Sequence, residues 1–242
     1  MSHPIYCLSF QNPVREKRMT ELFERLGFKP FFCKGVERDD PRILGRPIDD
    51  GTIRTWSTCY GHLDMIEQFI KSEKEIGIFC EDDLLVRLDF GKHLPRIIHD
   101  FKNLNLDILL FGFLCDNDIR RYSNFPEKVS YSDAEFPFRY YDYCIKPESG
   151  VWGTQMYMLT REHAIELYER YAYGYADLTI INSQMTPFSS DWILTKSANN
   201  RALIYPLMVI EDGRSTYTDL GQDQTRTRCF DFWYKEELFG PI

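Results

Sequence analysis

Apolar and polar positions follow two rhythms along this chain, and the points where the rhythm changes mark its elements. Pro4 to Phe10 is a short apolar run that predicts a buried strand. Pro13 suits the first turn of a helix, Met19, Leu22, Phe23 and Leu26 follow at helical spacing, and Gly27 closes it. Phe28 to Cys33 reads as a second strand. Strand, helix, strand implies a parallel sheet. Gly35 to Gly51 is a polar loop. A helix is predicted over Arg54 to Lys74, with Trp56, Cys59, Leu63, Ile66 and Ile70 as its apolar stripe. Ile76 to Cys80 is an apolar strand that stops at Glu81-Asp82-Asp83, and Leu84 to Val86 continues extended. A short helix is predicted over Leu94 to Phe101, then a strand over Asp107 to Leu114 apolar enough to be covered on both faces.

Residues 115 to 148 have no clear period and are rich in Asp, Arg and Tyr, including Tyr122, Tyr131, Tyr140, Tyr141 and Tyr143. A stretch this long without a pattern is commonly functional. Val151 to Leu159 reads as a strand and Thr160 as the N-cap of a helix over Arg161 to Tyr171. A further helix begins at Asp191 to Lys196, and Ala202 to Ile210 reads as the last strand. The tail from Glu211 is polar, then aromatic. No repeat or linker divides the chain. The pattern predicts one α/β domain with a mostly parallel central sheet flanked by helices.

Composition narrows the function. The 242 residues include 29 basic and 37 acidic side chains, a net charge of −8. That balance argues against a nucleic-acid binder with its usual basic face, and against an electrostatic membrane anchor. No apolar run is long enough to span a membrane and no signal peptide is visible, so a cytoplasmic location is expected. The seven cysteines are widely spaced with no Cys-x-x-Cys pair, which predicts free, buried thiols rather than a zinc or redox site.

Three features carry candidate chemistry. Glu81-Asp82-Asp83 follows a hydrophobic strand, and in open α/β sheets ligands bind beyond the carboxyl ends of strands. On an extended segment Glu81 and Asp83 face one way and Asp82 the other. Clustered carboxylates suit Mg²⁺ or Mn²⁺; the plain alternative is a solvated acidic turn. Asp191, before Trp192, is either a helix N-cap or a carboxylate base at a loop-to-helix junction. The turn Gln11 to Arg15 leads into a helix whose backbone N–H groups, with Arg15 or Arg18, suit an anion; the alternative is that both arginines lie on a solvated face. The chain lacks a dinucleotide fingerprint, a P-loop and a Gly-x-Ser-x-Gly elbow. His62 reads as a core histidine and His163 as a surface one.

Four blocks, in order, resemble glycosyltransferase family 25: Tyr6 to Met19; Trp56-Ser-Thr-Cys59-Tyr-Gly-His62; Ile78-Phe-Cys-Glu81-Asp82-Asp83; and Trp152-Gly153-Thr154-Gln155-Met-Tyr157, followed by Pro187 to Trp192. Two departures stand out. Phe10-Gln11-Asn12 replaces a frequent Asp-Arg, and Gly61 stands where the family has Ser before its His.

The resemblance implies a GT-A-type Rossmann-like fold, with a nucleotide-sugar half over about 1–115 and an acceptor half over about 116–242. It implies a hexosyl- or pentosyltransferase of glycan biosynthesis that uses a nucleotide-sugar, most often UDP-linked, with Mn²⁺ or Mg²⁺, and inverts the anomeric carbon. The metal ligands would be Glu81 and Asp83, completed by Glu211 or Asp212. Ser9, Phe10, Gln11, Arg15, Gly35, Val36 and Asp82 would hold the nucleotide. Asp191 would take the proton from a hydroxyl of a glycan or glycoprotein acceptor, with the Tyr-rich stretch and the loop after Tyr171 on the acceptor side. Two other readings remain: a carbohydrate-binding relative without catalysis, and a metal-dependent phosphohydrolase.

Overall fold

The structure, a computed structural model, describes residues 3–115, 118–119, 126–129, 136–143, 151–213 and 220–242. The chain opens with strand β1 (Ile5–Ser9), helix α1 (Pro13–Arg25) and strand β2 (Pro30–Lys34). Asn12 caps α1 by accepting from the N–H groups of Val14 and Arg15 at 3.1 and 3.2 Å. Gly27 supplies the left-handed residue, at φ +83°, that turns the chain into β2. Helix α2 (Asp50–Lys71) begins four residues before its predicted start, because Asp49 accepts from the Thr52 N–H at 2.7 Å and caps it.

Strands β3 (Ile76–Glu81) and β4 (Leu84–Val86), helix α3 (Phe90–Asn103) and strand β5 (Ile108–Leu114) follow. After them come β6 (Glu127–Val129), β7 (Arg139–Tyr141), β8 (Trp152–Thr160), and helices α4 (Arg161–Tyr171) and α5 (Tyr175–Ile181). A single π-helical turn occupies Asp191–Thr195, then β9 (Arg201–Tyr205), β10 (Val209–Glu211), α6 (Leu220–Trp233) and α7 (Glu236–Phe239).

Eight strands form one sheet in the order β2-β1-β3-β8-β5-β9-β7-β6. Most run in the same direction; β8 and β7 run against their neighbours. Helices flank both faces. Trp56, Leu63, Ile66 and Phe69 of α2, with Leu167 of α4, pack with Tyr6, Leu8, Phe79 and Tyr157 on one face. Met19, Leu22 and Phe23 of α1 and Phe90, Leu94, Ile97 and Phe101 of α3 pack with Ile5, Cys7, Ile78 and Met158 on the other. The predicted α/β class and the mostly parallel, helix-flanked sheet are what the chain adopts.

Three expectations change. The strand predicted over Ala202 to Ile210 is two strands, divided at Pro206, which has no N–H to continue a ladder. The second piece, β10, leaves the main sheet and pairs antiparallel with β4, setting Glu211 opposite Leu84. The aromatic tail, to which the sequence pattern assigns no element, is helical. Tyr140, Tyr141 and Tyr143 are core residues rather than sugar platforms; the Tyr140 hydroxyl donates to Asp100 and that of Tyr143 to the Thr195 carbonyl. Tyr122 and Tyr131 lie outside the described residues. His163 is also buried, with Nδ1 at 3.1 Å from Glu166.

The cysteines match expectation. Cys7, Cys33, Cys59 and Cys80 are free, buried thiols, and Cys229 is also buried; Cys144 lies outside the described residues. Among the described residues, no helix is long and apolar enough to cross a membrane.

Candidate functional site

The parallel strands β1 and β3 end side by side at Ser9 and Glu81, and antiparallel β8 begins at that same end of the sheet. One edge therefore gathers the last residues of two strands and the first residues of a third. Ser9 is the end of β1, and its carbonyl accepts from the Gly35 N–H at 2.7 Å, tying the ends of β1 and β2 together. Phe10 is half exposed, and its ring lies over Gly35 so closely that a Cβ there would stand 2.7 Å from Phe10 Cδ1. Gln11 takes a left-handed turn at φ +55°. Val36 is buried in the core.

Glu81 ends β3 on the α2 side of the sheet. Thr154 Oγ1 donates to its Oε1 at 2.8 Å, and His62 Nε2 lies 3.4 Å from the same oxygen. The Glu81 side chain is closely surrounded by protein yet 28% exposed. Burial pushes its carboxyl up, but the hydrogen bond and charge of His62, the Thr154 hydroxyl and Arg226 more than offset this and leave it below the usual range. His62 is wholly buried, as a core histidine should be, and its Nδ1 pairs with the Tyr157 hydroxyl at 2.9 Å. Its other nitrogen faces the site. Gly61 explains how it reaches: a Cβ there would meet Leu8 Cδ1 at 2.8 Å, so the missing side chain lets α2 lie close on β1.

The strand stops at Glu81, and with it the expected alternation. Arg15 Nη1 touches both following carboxylates, at 3.0 Å from Asp82 Oδ1 and 3.5 Å from Asp83 Oδ2. Arg18 pairs with Asp212 and donates to the Asp82 carbonyl at 3.2 Å. The helix arginines therefore face the acidic segment rather than solvent alone. The β4–β10 pair brings up the remaining acids: the Asp212 N–H donates to the Asp83 carbonyl at 2.7 Å, and Arg226 Nε sits 3.2 Å from Glu211 Oε1. Burial and the negative fields of Glu211 and Glu81 push Asp83 up to about 7, against the opposing field of Arg15.

Asp191 does not cap a helix. It is the first residue of the π turn, and its carboxylate accepts from the backbone N–H of Gly153. Isolated π-helical turns are frequent at functional sites. Burial raises the Asp191 carboxyl, the Gly153 N–H opposes, Glu81 adds to the rise, and Lys196 and His62 oppose it; the net direction is upward. Thr154 Oγ1 joins the two regions, lying 2.8 Å from Glu81 Oε1 and 3.1 Å from Ser190 Oγ.

The region also holds buried polar atoms without hydrogen-bond partners: Ser9 Oγ, Arg18 Nε, Gln155 Oε1 and Lys196 Nζ. Each costs about 1–3 kcal/mol, a cost that proteins commonly carry at functional sites. Thr154, Gln155 and Ser190 entered the sequence reading only as members of a resembling block, with no role assigned, and Lys196 carried no signal of its own. Their position shows only once β8 is known to start at this edge.

The predicted residues thus fall into three neighbouring groups. Ser9, Phe10, Gln11 and Gly35 form the β1–β2 rim, with Val36 beneath it in the core. Arg15, Asp82, Asp83 and Asp212 form a charged centre beside Glu211, and Glu81 links that centre to Asp191. Among the described residues, no three His, Cys, Asp or Glu side chains converge closely enough to hold a metal ion by themselves. Asp83 and Glu211 repel one another, which helps to raise the Asp83 carboxyl.

No protein-family profile and no curated protein matches the chain. Solved structures share its general layout at low identity. A glycosyltransferase involved in glycosylation of the major capsid of PBCV-1 is 9% identical, over 94% of this chain and 99% of its own, at a TM-score of 0.47. Mannose-1-phosphate geranyltransferase from Thermus thermophilus is 12% identical over 84% and 73%, at 0.46. HddC from Yersinia pseudotuberculosis, complexed with GMP-PN, is 14% identical over 96% and 100%, at 0.40. Likeness at this level carries no functional argument, which rests on the site itself.

Proposed function

We propose that the protein is a cation-assisted glycosyltransferase that moves a sugar from a nucleotide-sugar, UDP-linked in the simplest case, to a hydroxyl of a glycan or glycoprotein acceptor. One observation supports this above the rest. A charged centre suited to a diphosphate (Arg15, Arg18, Asp83, Glu211) and a half-buried, upward-shifted carboxylate (Asp191) are linked through Glu81, Thr154 and Ser190. Glycosyl transfer needs both: a seat for the departing diphosphate and a base for the incoming hydroxyl.

On this reading the β1–β2 rim, with the unpartnered Ser9 hydroxyl and the exposed Phe10 ring, takes the nucleoside. Arg15, a third exposed, presents its guanidinium to the diphosphate. Asp83 and Glu211 would hold the divalent cation, which when bound neutralises charge developing on the leaving diphosphate. Glu81 keeps its charge through His62 and Thr154 and stabilises positive charge growing on the transferred sugar. Asp191 accepts the acceptor hydroxyl's proton. Its upward shift brings it closer to the working range of a base at neutral pH. A base and a leaving-group seat on separate sides of the sugar give direct displacement, with inversion.

The test is a screen of nucleotide-sugars with Mn²⁺ or Mg²⁺, read by release of the nucleoside diphosphate and by thermal stabilisation. Asp191→Asn should abolish turnover and retain UDP binding. Asp83→Asn with Glu211→Gln should abolish cation-dependent UDP binding. A protein that binds glycans yet ignores every nucleotide, with or without cation, refutes the assignment in favour of a lectin-like relative. Release of free phosphate from simple esters refutes it in favour of a phosphohydrolase.

A further inference from the structure

Lys196 follows the π turn directly. The residue is 3% exposed, and its Nζ has no hydrogen-bond partner. Nζ lies 3.5 Å from the centroid of the Trp152 ring and 4.4 Å from that of Trp192. The two rings meet edge to face, with centroids 6.0 Å apart and planes at 77°. Trp152 is itself 36% exposed, so the ammonium sits at shallow depth under an indole roof. An ammonium removed from water and left without hydrogen bonds is unfavourable, and cation–π contact offsets only part of that cost. A lysine kept this way needs a further reason.

Asp191 supplies one. Asp191 opens the π turn and Lys196 caps its end, so the one short turn carries both charges. The start of β8 holds both. Gly153 donates its N–H to the Asp191 carboxylate, and the adjacent Trp152 ring covers Lys196. One dipeptide therefore registers carboxylate and ammonium against each other.

We propose that Lys196 is a positioning residue for Asp191: its dry ammonium, caged by Trp152 and Trp192, keeps the neighbouring carboxylate ionised and fixed in place. This rests on the reading of Asp191 as the acceptor base. The other groups facing the pair are Glu81 from β3, His62 and Cys59 from α2, and Tyr171 from α4 beside Ser197. Burial and Glu81 oppose ionisation of Asp191, whereas Lys196, the Gly153 N–H and His62 favour it. Asp191 in turn supports the charge of Lys196, which burial lowers.

Two measurements on the full chain test the pairing. The first is indole emission against pH without substrate; Trp152 and Trp192 are two of four tryptophans. Wild type should show a transition below the ordinary lysine range. That transition should be absent in Lys196→Met and displaced to still lower pH in Asp191→Asn, because the carboxylate holds the ammonium's proton. The second is the pH profile of sugar transfer. In Lys196→Met the acidic limb should move up by about one pH unit, and kcat at neutral pH should fall about tenfold with KM for the donor unchanged. Lys196→Arg should restore most of the loss. An emission transition identical in wild type and Asp191→Asn overturns the proposal, as does a wild-type acidic limb in Lys196→Met. If Lys196→Met does not fold, the comparison of wild type with Asp191→Asn decides. If no nucleotide-sugar is turned over by any variant, the transferase assignment fails separately, and the emission titration still decides whether the two charges are coupled.

Discussion

Arg15 places one guanidinium nitrogen 3.0 Å from Asp82 and 3.5 Å from Asp83, so a residue of the first helix serves as counter-ion to two acids 67 and 68 positions later. Its field is what pulls Asp83 down against burial and three neighbouring carboxylates. Arg15→Met should therefore destabilise the protein more at pH 8, where Asp83 is ionised, than at pH 5, where it is protonated. It should also weaken UDP binding by about tenfold, the scale of one lost charge-assisted contact. Thermal melts at the two pH values and calorimetry with UDP measure both. Equal destabilisation at the two pH values would refute the role given to Asp83.

Asp83 itself should trade stability for binding. Its folded value, about 7, lies above the ordinary aspartate value of about 3.9. The stabilising effect of its proton is thus complete below about pH 4 and is lost as pH rises through about 7. Asp83→Asn removes that penalty. The variant should melt a few degrees above wild type, about 2–4 °C, at pH 8 and show little gain at pH 5. It should lose cation-dependent stabilisation by UDP. A melt unchanged at pH 8 counts against the repulsion among Asp83, Glu211 and Glu81.

His62 acts with the opposite sign through Glu81. Burial alone would raise the Glu81 carboxyl; the contacts of His62 and Thr154 and the field of Arg226 bring it below the usual range. The stability this gives is present above the ordinary glutamate value of about 4.3 and is lost as pH falls through the lower folded value. His62→Leu leaves an enclosed carboxylate without that support. Urea unfolding should show the variant weaker than wild type at pH 7, with the gap narrowing toward pH 4. A gap that stays the same at pH 7 and pH 4 would mean that His62 contributes only packing.

Gly112 should tolerate no side chain. A Cβ there would stand 2.4 Å from the Val209 carbonyl oxygen, which is backbone and has no flexible end to yield. Strand β5 also shifts register against β8 on either side of this glycine. Gly112→Ala should cost about 1–3 kcal/mol or more in denaturant unfolding. Because Val209 begins β10, the strand ending in Glu211, the same change should weaken cation-dependent UDP binding. Unaltered binding in a destabilised variant would show that β10 yields without disturbing Glu211.

The framework was legible where apolar periods were long. β1, α1, β2, α2, β3, β5, β8 and α4 all lie within residues of their predicted spans, because each covers a run whose burial pattern repeats several times. Helix α6 was not legible: Leu220–Trp233 is polar until Phe230, with no stripe to give the period away. The break at Pro206 was legible in principle, since proline interrupts a ladder, but the apolar run on either side hid it. The acidic segment and Asp191 stood out in the sequence. The roles of their partners did not, because Gly153 and Thr154, though part of a resembling block, and Lys196 gain those roles only from contacts 36 to 73 positions distant or from the π turn. Local pattern reports what a residue does for its own element; it is silent on which end of the sheet that element starts from.

The place of β8 sets an order of events for the nascent chain. β8 (Trp152–Thr160) lies between β3 and β5, both of which precede it in sequence. Until residue 160 has been synthesised, β3 and β5 each present an unpaired edge to the missing centre strand, and the first hundred residues cannot close a continuous sheet. Exposed edges of this kind invite pairing with other chains. Pauses in synthesis before residue 160 should therefore yield aggregates that pauses after it do not. The same strand brings Trp152, Gly153, Thr154 and Gln155 to the site, and the residues that complete it, Asp191, Lys196, Glu211 and Asp212, all follow β8 in the chain.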